Sequence, residues 1–230
     1  MKLTDEQLLA ALSPANQLLI EAEPGSGKTT TLVERAGLLN ASRPYGDRRG
    51  ILCVSFTRAA VDEIRRRAQS RWGGSLSAAP NRVMTIDALF RWVWQRLIQR
   101  GEITWFGLRI GEFSDPMDSW GKKGRRVEKN KQRLSVGISG RAASVTQVLN
   151  ERRTQGFRVE DLHAYEEALQ SGSTTHHEIR ACVRSVLAHD WGPSAVGSIL
   201  AERFGHVLVD EAFDCNGDDR ELLELSLIHI

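Results

Sequence analysis

The sequence predicts an α/β fold, with a mostly parallel β-sheet that has helices on both faces and carries a helical insertion. Within residues 1–100, short apolar runs alternate with amphipathic segments, as in chains whose parallel strands are joined by crossover helices. Residues 141–204 have a helical pattern throughout, and another apolar run follows at residues 206–209. We therefore assign residues 1–100 and 205–230 to the sheet domain, and residues 101–204 to a mainly helical insertion.

The first predicted strand is Leu18–Ala22. The second, Ile51–Ser55, is apolar enough to be buried on both faces. Between them we expect a helix from about Thr29 to Asn40, ended by a cluster of breaker residues at 42–46. This order of strand, helix and strand predicts that the two strands are parallel.

The next predicted elements continue the alternation. Ala59–Trp72 has a stripe of apolar residues at helical spacing, and Arg82–Ile86 is a short strand. Asp87 is a candidate N-cap for a helix that reaches about Arg100. The last predicted strand, His206–Val209, returns the chain to the sheet after the helical block.

A glycine-rich loop stands between the first predicted strand and the first helix. In such a loop the backbone N–H groups point inward and cradle phosphates, while the positive end of the following helix faces the same anion. Lys28 can reach the β- and γ-phosphate oxygens, and the Thr29 hydroxyl can bind Mg²⁺. We expect this loop to bind a nucleoside triphosphate through Ala22, Glu23, Pro24, Gly25, Ser26, Gly27, Lys28, Thr29 and Thr30.

A second chemical signal lies at the end of the last predicted strand, where Val209 is followed by Asp210 and Glu211. A buried strand delivers such carboxylates to the carboxyl edge of a parallel sheet, beside the phosphate loop. Asp210 is therefore predicted to hold Mg²⁺ together with Thr29. Glu211 is predicted to polarise the attacking water, which makes Lys28 and Glu211 the candidate catalytic residues.

Composition limits the remaining classes. The net charge of +2 is too small to indicate nucleic-acid binding, and the three cysteines have no metal-ligand or disulfide spacing. No apolar run approaches 18 residues, and the N-terminus has no signal-peptide core. We expect a cytoplasmic protein without a membrane partner, and the oligomeric state stays open. The basic run Lys122–Arg133 is either an electrostatic track for nucleic acid or a solvated loop.

Together these motifs resemble the first motor domain of UvrD/Rep-like superfamily 1 DNA helicases. Leu3–Gln7 resembles the family's N-terminal glutamine motif, and the glycine loop matches the family's P-loop. Asp210-Glu211 is similar to the family's acidic motif. The resemblance implies a RecA-like P-loop NTPase fold that uses ATP and Mg²⁺, with Gln7 contacting the adenine.

The resemblance also implies contacts with single-stranded DNA. Val54–Ala60, which contains Phe56, Thr57 and Arg58, is similar to the family's Phe-Thr-x-x-Ala-Ala turn. Val83–Leu89, which contains Thr85, resembles the next DNA-contacting motif. From the residues alone, Phe56 is either a stacking platform for a base or a core residue. The resemblance thus favours the ATP-binding, DNA-binding N-terminal fragment of an ATP-dependent helicase that translocates on single-stranded DNA.

Two departures from the family keep other functions open. Phe213 replaces a glutamine that lies near the γ-phosphate in the family, and a phenyl ring cannot form that hydrogen bond. The chain also ends at Ile230, ahead of the family's second motor lobe, so we expect it to be a fragment that does not unwind DNA alone. The alternatives are an ATP- and DNA-binding module without motor activity, a degenerate paralogue, or the motor part of a helicase–nuclease.

Overall fold

A computed structural model describes residues 3–15, 17–23, 25–103, 176–212 and 217–228. The chain forms two compact units. The first comprises Met1–Leu89 and Gly197–Ile230, and the second comprises Phe90–Val196. Within the described ranges, no helix combines the length and apolar character that crossing a bilayer requires. The domain boundaries predicted above stay a proposal.

The described strands form one three-stranded parallel sheet in the order β2-β1-β3. The strands are β1 (Gly50–Ser55), β2 (Arg82–Thr85) and β3 (Phe204–Val209). All six residues of β1 are buried, as expected for a central strand covered on both faces. Gly50 pairs with Phe204, but the next residue, Ile51, pairs with His206. The register of the ladder between β1 and β3 therefore shifts by one residue between Gly50 and Ile51. The predicted parallel sheet is therefore confirmed.

The described ranges contain seven α-helices. Their bounds are α1 (Asp5–Leu12), α2 (Lys28–Ala41), α3 (Arg58–Trp72), α4 (Ile86–Gln99), α5 (His176–Leu187), α6 (Gly192–Arg203) and α7 (Gly217–Ile228), with a short 3₁₀ turn at Gly73–Leu76. The predictions of α2 and α3 were accurate to one or two residues. Helix α4 begins at Ile86, two residues earlier than an N-cap at Asp87 predicts. The cap is Thr85 instead, because its hydroxyl accepts the N–H of Ala88 at 3.3 Å.

The core of the sheet-containing unit lies between β1 and helices α2 and α3. Leu32, Val33 and Ala36 of α2 pack in one cluster with Ile51 and Cys53 of β1 and with Val61, Ile64 and Ala68 of α3. Apolar residues three or four apart give each helix a single buried stripe. This packing fixes where the start of α2 stands relative to the end of the neighbouring strands.

The prediction of a strand at Leu18–Ala22 is wrong for the described chain, where residues 17–23 form no strand. Leu18 is 39% exposed and Leu19 is 65% exposed. A cavity of about 340 Å³ is lined by Ser13, Leu18 and the β3 residues 205–208. The backbone carbonyl of Ala15, before the segment, accepts a hydrogen bond from Arg35. The carbonyl of Ala22, the last residue of the predicted strand, accepts one from Lys28.

The described part of the second unit comprises residues 90–103 and 176–196. The predicted helical pattern is confirmed for α5 and α6, while residues 104–175 lie outside the described ranges. The guanidinium of Arg180 lies 4.6 Å from the ring centroid of Phe90. Cys182 is buried, and burial raises the pKa of its thiol to about 12. A neutral thiol of this kind serves as a small apolar core residue.

Candidate nucleotide-binding site

The glycine loop turns into α2 through two residues with positive φ. Gly25 has φ 82° and Gly27 has φ 89°, a region that residues with a Cβ adopt at a cost. At Gly27 a Cβ would also lie 2.7 Å from Nε2 of Gln7. The positive φ therefore favours glycine where the loop meets α2, and a larger residue there would also displace the Gln7 side chain.

Lys28 is the first residue of α2, and its ammonium group folds back over the loop. Its Nζ donates to the carbonyl oxygens of Ala22 at 2.5 Å and Glu23 at 3.0 Å. These bonds hold the cation above the loop where phosphate oxygens are expected. Because an ammonium group has three donors, Lys28 retains capacity for an anion while it bonds the loop.

Gln7 ties helix α1 to this loop. The Thr4 hydroxyl accepts the N–H of Gln7, and the Gln7 side-chain oxygen accepts the N–H of Thr4 at 3.0 Å, which is a capping box. The other end of the same amide donates from Nε2 to the carbonyl of Ser26 at 2.7 Å. The structure therefore places Gln7 against the loop, while its contact with adenine stays a prediction.

Thr29 and Asp210 meet, although they are separated by 181 positions in the sequence. The Thr29 hydroxyl donates to Oδ2 of Asp210 at 3.0 Å. Asp210 is buried and continues the sheet, since its backbone N–H donates to the carbonyl of Val54 at 2.9 Å. Burial, and after it the Asp210 carboxylate, raises the pKa of the Cys53 thiol to about 12. Thus α2 and β3 deliver a hydroxyl and a carboxylate to one point.

These two groups fit a magnesium ion. Mg²⁺ prefers oxygen ligands and is usually held by one or two carboxylates, with waters and substrate phosphates completing its shell. Among the described residues, no group of three or more His, Cys, Asp or Glu side chains could hold a metal ion. Thr29 and Asp210 would therefore hold Mg²⁺ only together with water or phosphate oxygens, and their role as metal ligands stays a prediction.

Glu211 has an unusual backbone conformation. Its φ is 59°, and it is the one non-glycine residue with positive φ in the described ranges. Such a conformation costs about 1–2 kcal/mol for a residue with a Cβ. It turns the chain immediately after β3 and leaves Glu211 exposed beside Asp210. Strain of this kind concentrates at functional sites, which is compatible with the catalytic role predicted for Glu211.

Thr30, a predicted cofactor ligand, is contacted by a residue that the sequence motifs do not reveal. Nη1 of Arg67, in α3, donates to the Thr30 hydroxyl, and Arg67 Nε donates to Glu63 at 2.5 Å. Arginines around α3 stand out in the sequence, but their spacing does not show which of them faces α2. Arg35, in α2, was also missed, because the sequence does not show which backbone carbonyls its side chain reaches. Its guanidinium binds the carbonyls of Ala10, Ala11, Ser13 and Ala15 at the end of α1.

The predicted DNA-contacting residues lie at the carboxyl ends of β1 and β2. Ser55 pairs in register with Thr85, so the chain leaves both strands at the same edge of the sheet. The Thr57 hydroxyl caps α3 by accepting the N–H of Ala60 at 3.1 Å, just as Thr85 caps α4. Phe56 is half-buried, whereas Thr57 and Arg58 are exposed. The structure brings these predicted residues to one edge, and their DNA contacts stay predictions.

Several predictions fall outside the described ranges. They concern Pro24 of the loop, Phe213 after the acidic pair, Cys215 and the basic run Lys122–Arg133. The remaining predicted site residues are described, and most of them share one sheet edge. They are the loop residues before α2, the acidic pair after β3, Thr57 after β1, and Thr85 at the end of β2. Parallel strands give this arrangement because their carboxyl ends lie together.

The parallel sheet with its connecting helices makes this an α/β protein. A family model described as UvrD/REP helicase N-terminal domain matches residues 3–227. The chain therefore belongs to the UvrD/REP helicase N-terminal domain family, as the motifs had predicted.

Similar proteins are much longer than this chain. The ATP-dependent helicase/nuclease subunit from Anoxybacillus flavithermus is 39% identical over 80 residues, which are 34% of this chain and 6% of that protein. The protein of the same name from Clostridium perfringens is 36% identical over 104 residues, which are 45% of this chain and 8% of that protein. The matches thus span less than a tenth of these relatives.

Proposed function

We propose that this chain is the ATP- and DNA-binding N-terminal part of an ATP-dependent DNA helicase that translocates on single-stranded DNA. The observation that carries the proposal is the 3.0 Å contact between Thr29 and Asp210. It joins the glycine loop and the acidic strand end that the sequence predicts to form one ATP site. In this proposal the sheet-containing part has a RecA-like P-loop fold, and residues 101–204 are its insertion.

The described residues supply the chemistry of such a site. The loop N–H groups and Lys28 bind the phosphates, and the Thr29 hydroxyl and Asp210 carboxylate would hold Mg²⁺. When bound, the metal neutralises charge on the β- and γ-phosphates. Glu211 orients and polarises the water that attacks the γ-phosphate, from a backbone position that φ 59° holds beside Asp210. Gln7 supports the loop from behind through the Ser26 carbonyl.

The ATP half of the proposal is tested by calorimetry of Mg²⁺-ATP binding. Lys28→Ala should abolish measurable binding, because it removes the cation that faces the phosphates. Asp210→Asn should weaken binding with Mg²⁺ more than binding in a chelator, because it removes the charge that holds the metal. Arg82→Ala, at an exposed cation at the start of β2, is the matched control. Equal affinity of folded Lys28→Ala and the unsubstituted chain would falsify the phosphate-site assignment.

The DNA half rests on the residues at the ends of β1 and β2. Arg58→Ala should weaken binding of a fluorescent oligothymidine and reduce its salt dependence, because one phosphate contact is lost. Phe56→Ala should weaken binding with little change in salt dependence, because stacking does not release counterions. Arg66→Ala, at an arginine 69% exposed on α3, is the control. Unchanged affinity in both test variants rules out this edge as the DNA contact.

The names of the relatives favour a second candidate, the motor part of a helicase–nuclease. A protein of that kind joins a motor to a nuclease domain elsewhere in its sequence. The two candidates predict the same ATP and DNA contacts for this chain. The coding sequence beyond codon 230 distinguishes the two candidates, because only a helicase–nuclease would continue into a nuclease domain.

A further inference from the structure

Helices α2 and α3 lie side by side and run in the same direction, with two polar contacts between them. Arg67 Nη1 donates to the Thr30 hydroxyl. One helical turn further along both helices, Arg71 donates two hydrogen bonds to the Glu34 carboxylate at 2.8 and 2.9 Å. In each pair the two residues are 37 positions apart in the sequence, so the helices run parallel with a constant offset. We call each pair a rung: Thr30 with Arg67 is the first rung, and Glu34 with Arg71 is the second.

The two rungs have different surroundings. The second rung belongs to the packed interface, because the Glu34 side chain is only 9% exposed and the Arg71 guanidinium lies 5.4 Å from the ring centroid of Trp72. The first rung lies in the first turn of α2, directly beside Thr29. The hydroxyl of Thr29 in turn donates to Asp210. Only the first rung therefore adjoins the proposed magnesium site.

Arg67 is oriented by a partner on its own helix. Its Nε donates to Oε1 of Glu63 at 2.5 Å, and Arg66 donates two further hydrogen bonds to the same carboxylate at 2.7 and 2.9 Å. These hydrogen bonds, first from Arg66 and then from Arg67, hold the pKa of Glu63 below its ordinary value. The bond that Arg67 itself makes to Glu63 fixes its planar guanidinium fork with Nη1 directed at Thr30.

We propose that Arg67 is a positioning residue for the nucleotide site, which acts through Thr30 to hold the first turn of α2 in place. The first turn of a helix is where backbone N–H groups lack intrahelical partners and where fraying starts. A contact to Thr30 restrains that turn from outside, and so fixes the direction in which the Thr29 hydroxyl points. This inference rests on the proposed function, in which Thr29 and Asp210 hold the magnesium of Mg²⁺-ATP.

The test compares Arg67→Gln with Arg66→Gln. The two positions are adjacent and share the Glu63 partner, but only Arg67 contacts α2. Arg67→Gln should weaken Mg²⁺-ATP binding about three- to tenfold, with a smaller loss for ATP in a chelator. Arg66→Gln should change affinity less than about twofold. Arg67→Lys, which keeps the charge but not the fork, should recover part of the loss.

A double-mutant cycle separates positioning from general damage to the helix pair. Thr30→Val removes the hydroxyl, and the pair Arg67→Gln/Thr30→Val should be no weaker than the worse single variant. Thr30→Ser, which retains the hydroxyl, should keep the affinity even where Arg67→Gln does not fold. Additive losses, an Arg67→Gln affinity equal to that of Arg66→Gln, or a loss confined to melting temperature each overturn the inference. Absence of Mg²⁺-ATP binding by the unsubstituted chain overturns the proposed function as well.

Discussion

Gly37 in α2 is the position where the packing of α2 on α3 has least room. A Cβ at this residue would lie 1.9 Å from Cε2 of Trp72 and 2.2 Å from Nε1. Optimal carbon–carbon contact is about 3.5–4.0 Å, so the indole would have to withdraw by about 1.5 Å or more. The atoms involved are in the body of a ring that packs against the core cluster, so a simple rotamer change does not relieve the overlap.

Gly37→Ala is therefore expected to destabilise the protein despite the better helix propensity of alanine. The propensity gain is about 1 kcal/mol, and forcing extra volume into a packed interior costs about 1–3 kcal/mol. The overlap with Trp72 is severe enough to place this substitution at the upper end of that range. The net loss should be about 2 kcal/mol, which lowers the melting temperature of a domain of this size by about 4–8 °C.

Thermal and urea unfolding followed by circular dichroism measure this change. Gly74→Ala is the matched control, because a Cβ there would meet only Oε1 of Gln69 at 3.8 Å. That control should stay within about 0.5 kcal/mol of the unsubstituted chain. If Gly37→Ala is as stable as the control, Trp72 does not pack on Gly37 and the described contact between α2 and α3 is wrong.

Two further predictions concern buried polar groups. Burial raises the thiol pKa values of Cys53 and Cys182 to about 12, so both should resist iodoacetamide at pH 8 in the native protein and react once it is unfolded. Peptide mass spectrometry resolves each site, and fast native labelling of Cys53 contradicts its burial in β1. Ser55 is fully buried, and its hydroxyl has no hydrogen-bond partner among the described residues. Ser55→Ala should therefore leave the free energy of unfolding unchanged or raise it by up to about 1 kcal/mol, whereas a loss above 1 kcal/mol in urea unfolding would reveal a partner.

Local patterns were enough to predict most of the sheet and its helices. Ile51–Ser55 is an uninterrupted apolar run, and such a run is what a central parallel strand requires because helices cover both of its faces. The helical stripe of Ala59–Trp72 and the glycines before Lys28 are equally local. The meeting of Thr29 with Asp210 was also predicted, since the carboxyl ends of parallel strands share one edge.

Local pattern could not decide where a segment finds its partners. The run at Leu18–Ala22 has the composition of a strand, but a strand also needs a neighbour to complete its hydrogen bonds. The described sheet contains no ladder to this segment. Likewise Asp87 and Thr85 are both good capping residues, and only the path of the chain leaving β2 selects the hydroxyl of Thr85.

The sequence by itself thus determined the family and the three strands of the described sheet, and it predicted the chemical groups of the candidate site. The tertiary structure decided which side chains support that site: Gln7 against Ser26, Arg35 at the end of α1, and Arg67 rather than Arg66 on Thr30. The physical reason is the sequence separation over which each effect acts. Periodicity and turn chemistry involve neighbouring residues, whereas the acceptor that a guanidinium reaches depends on how distant helices pack against one another.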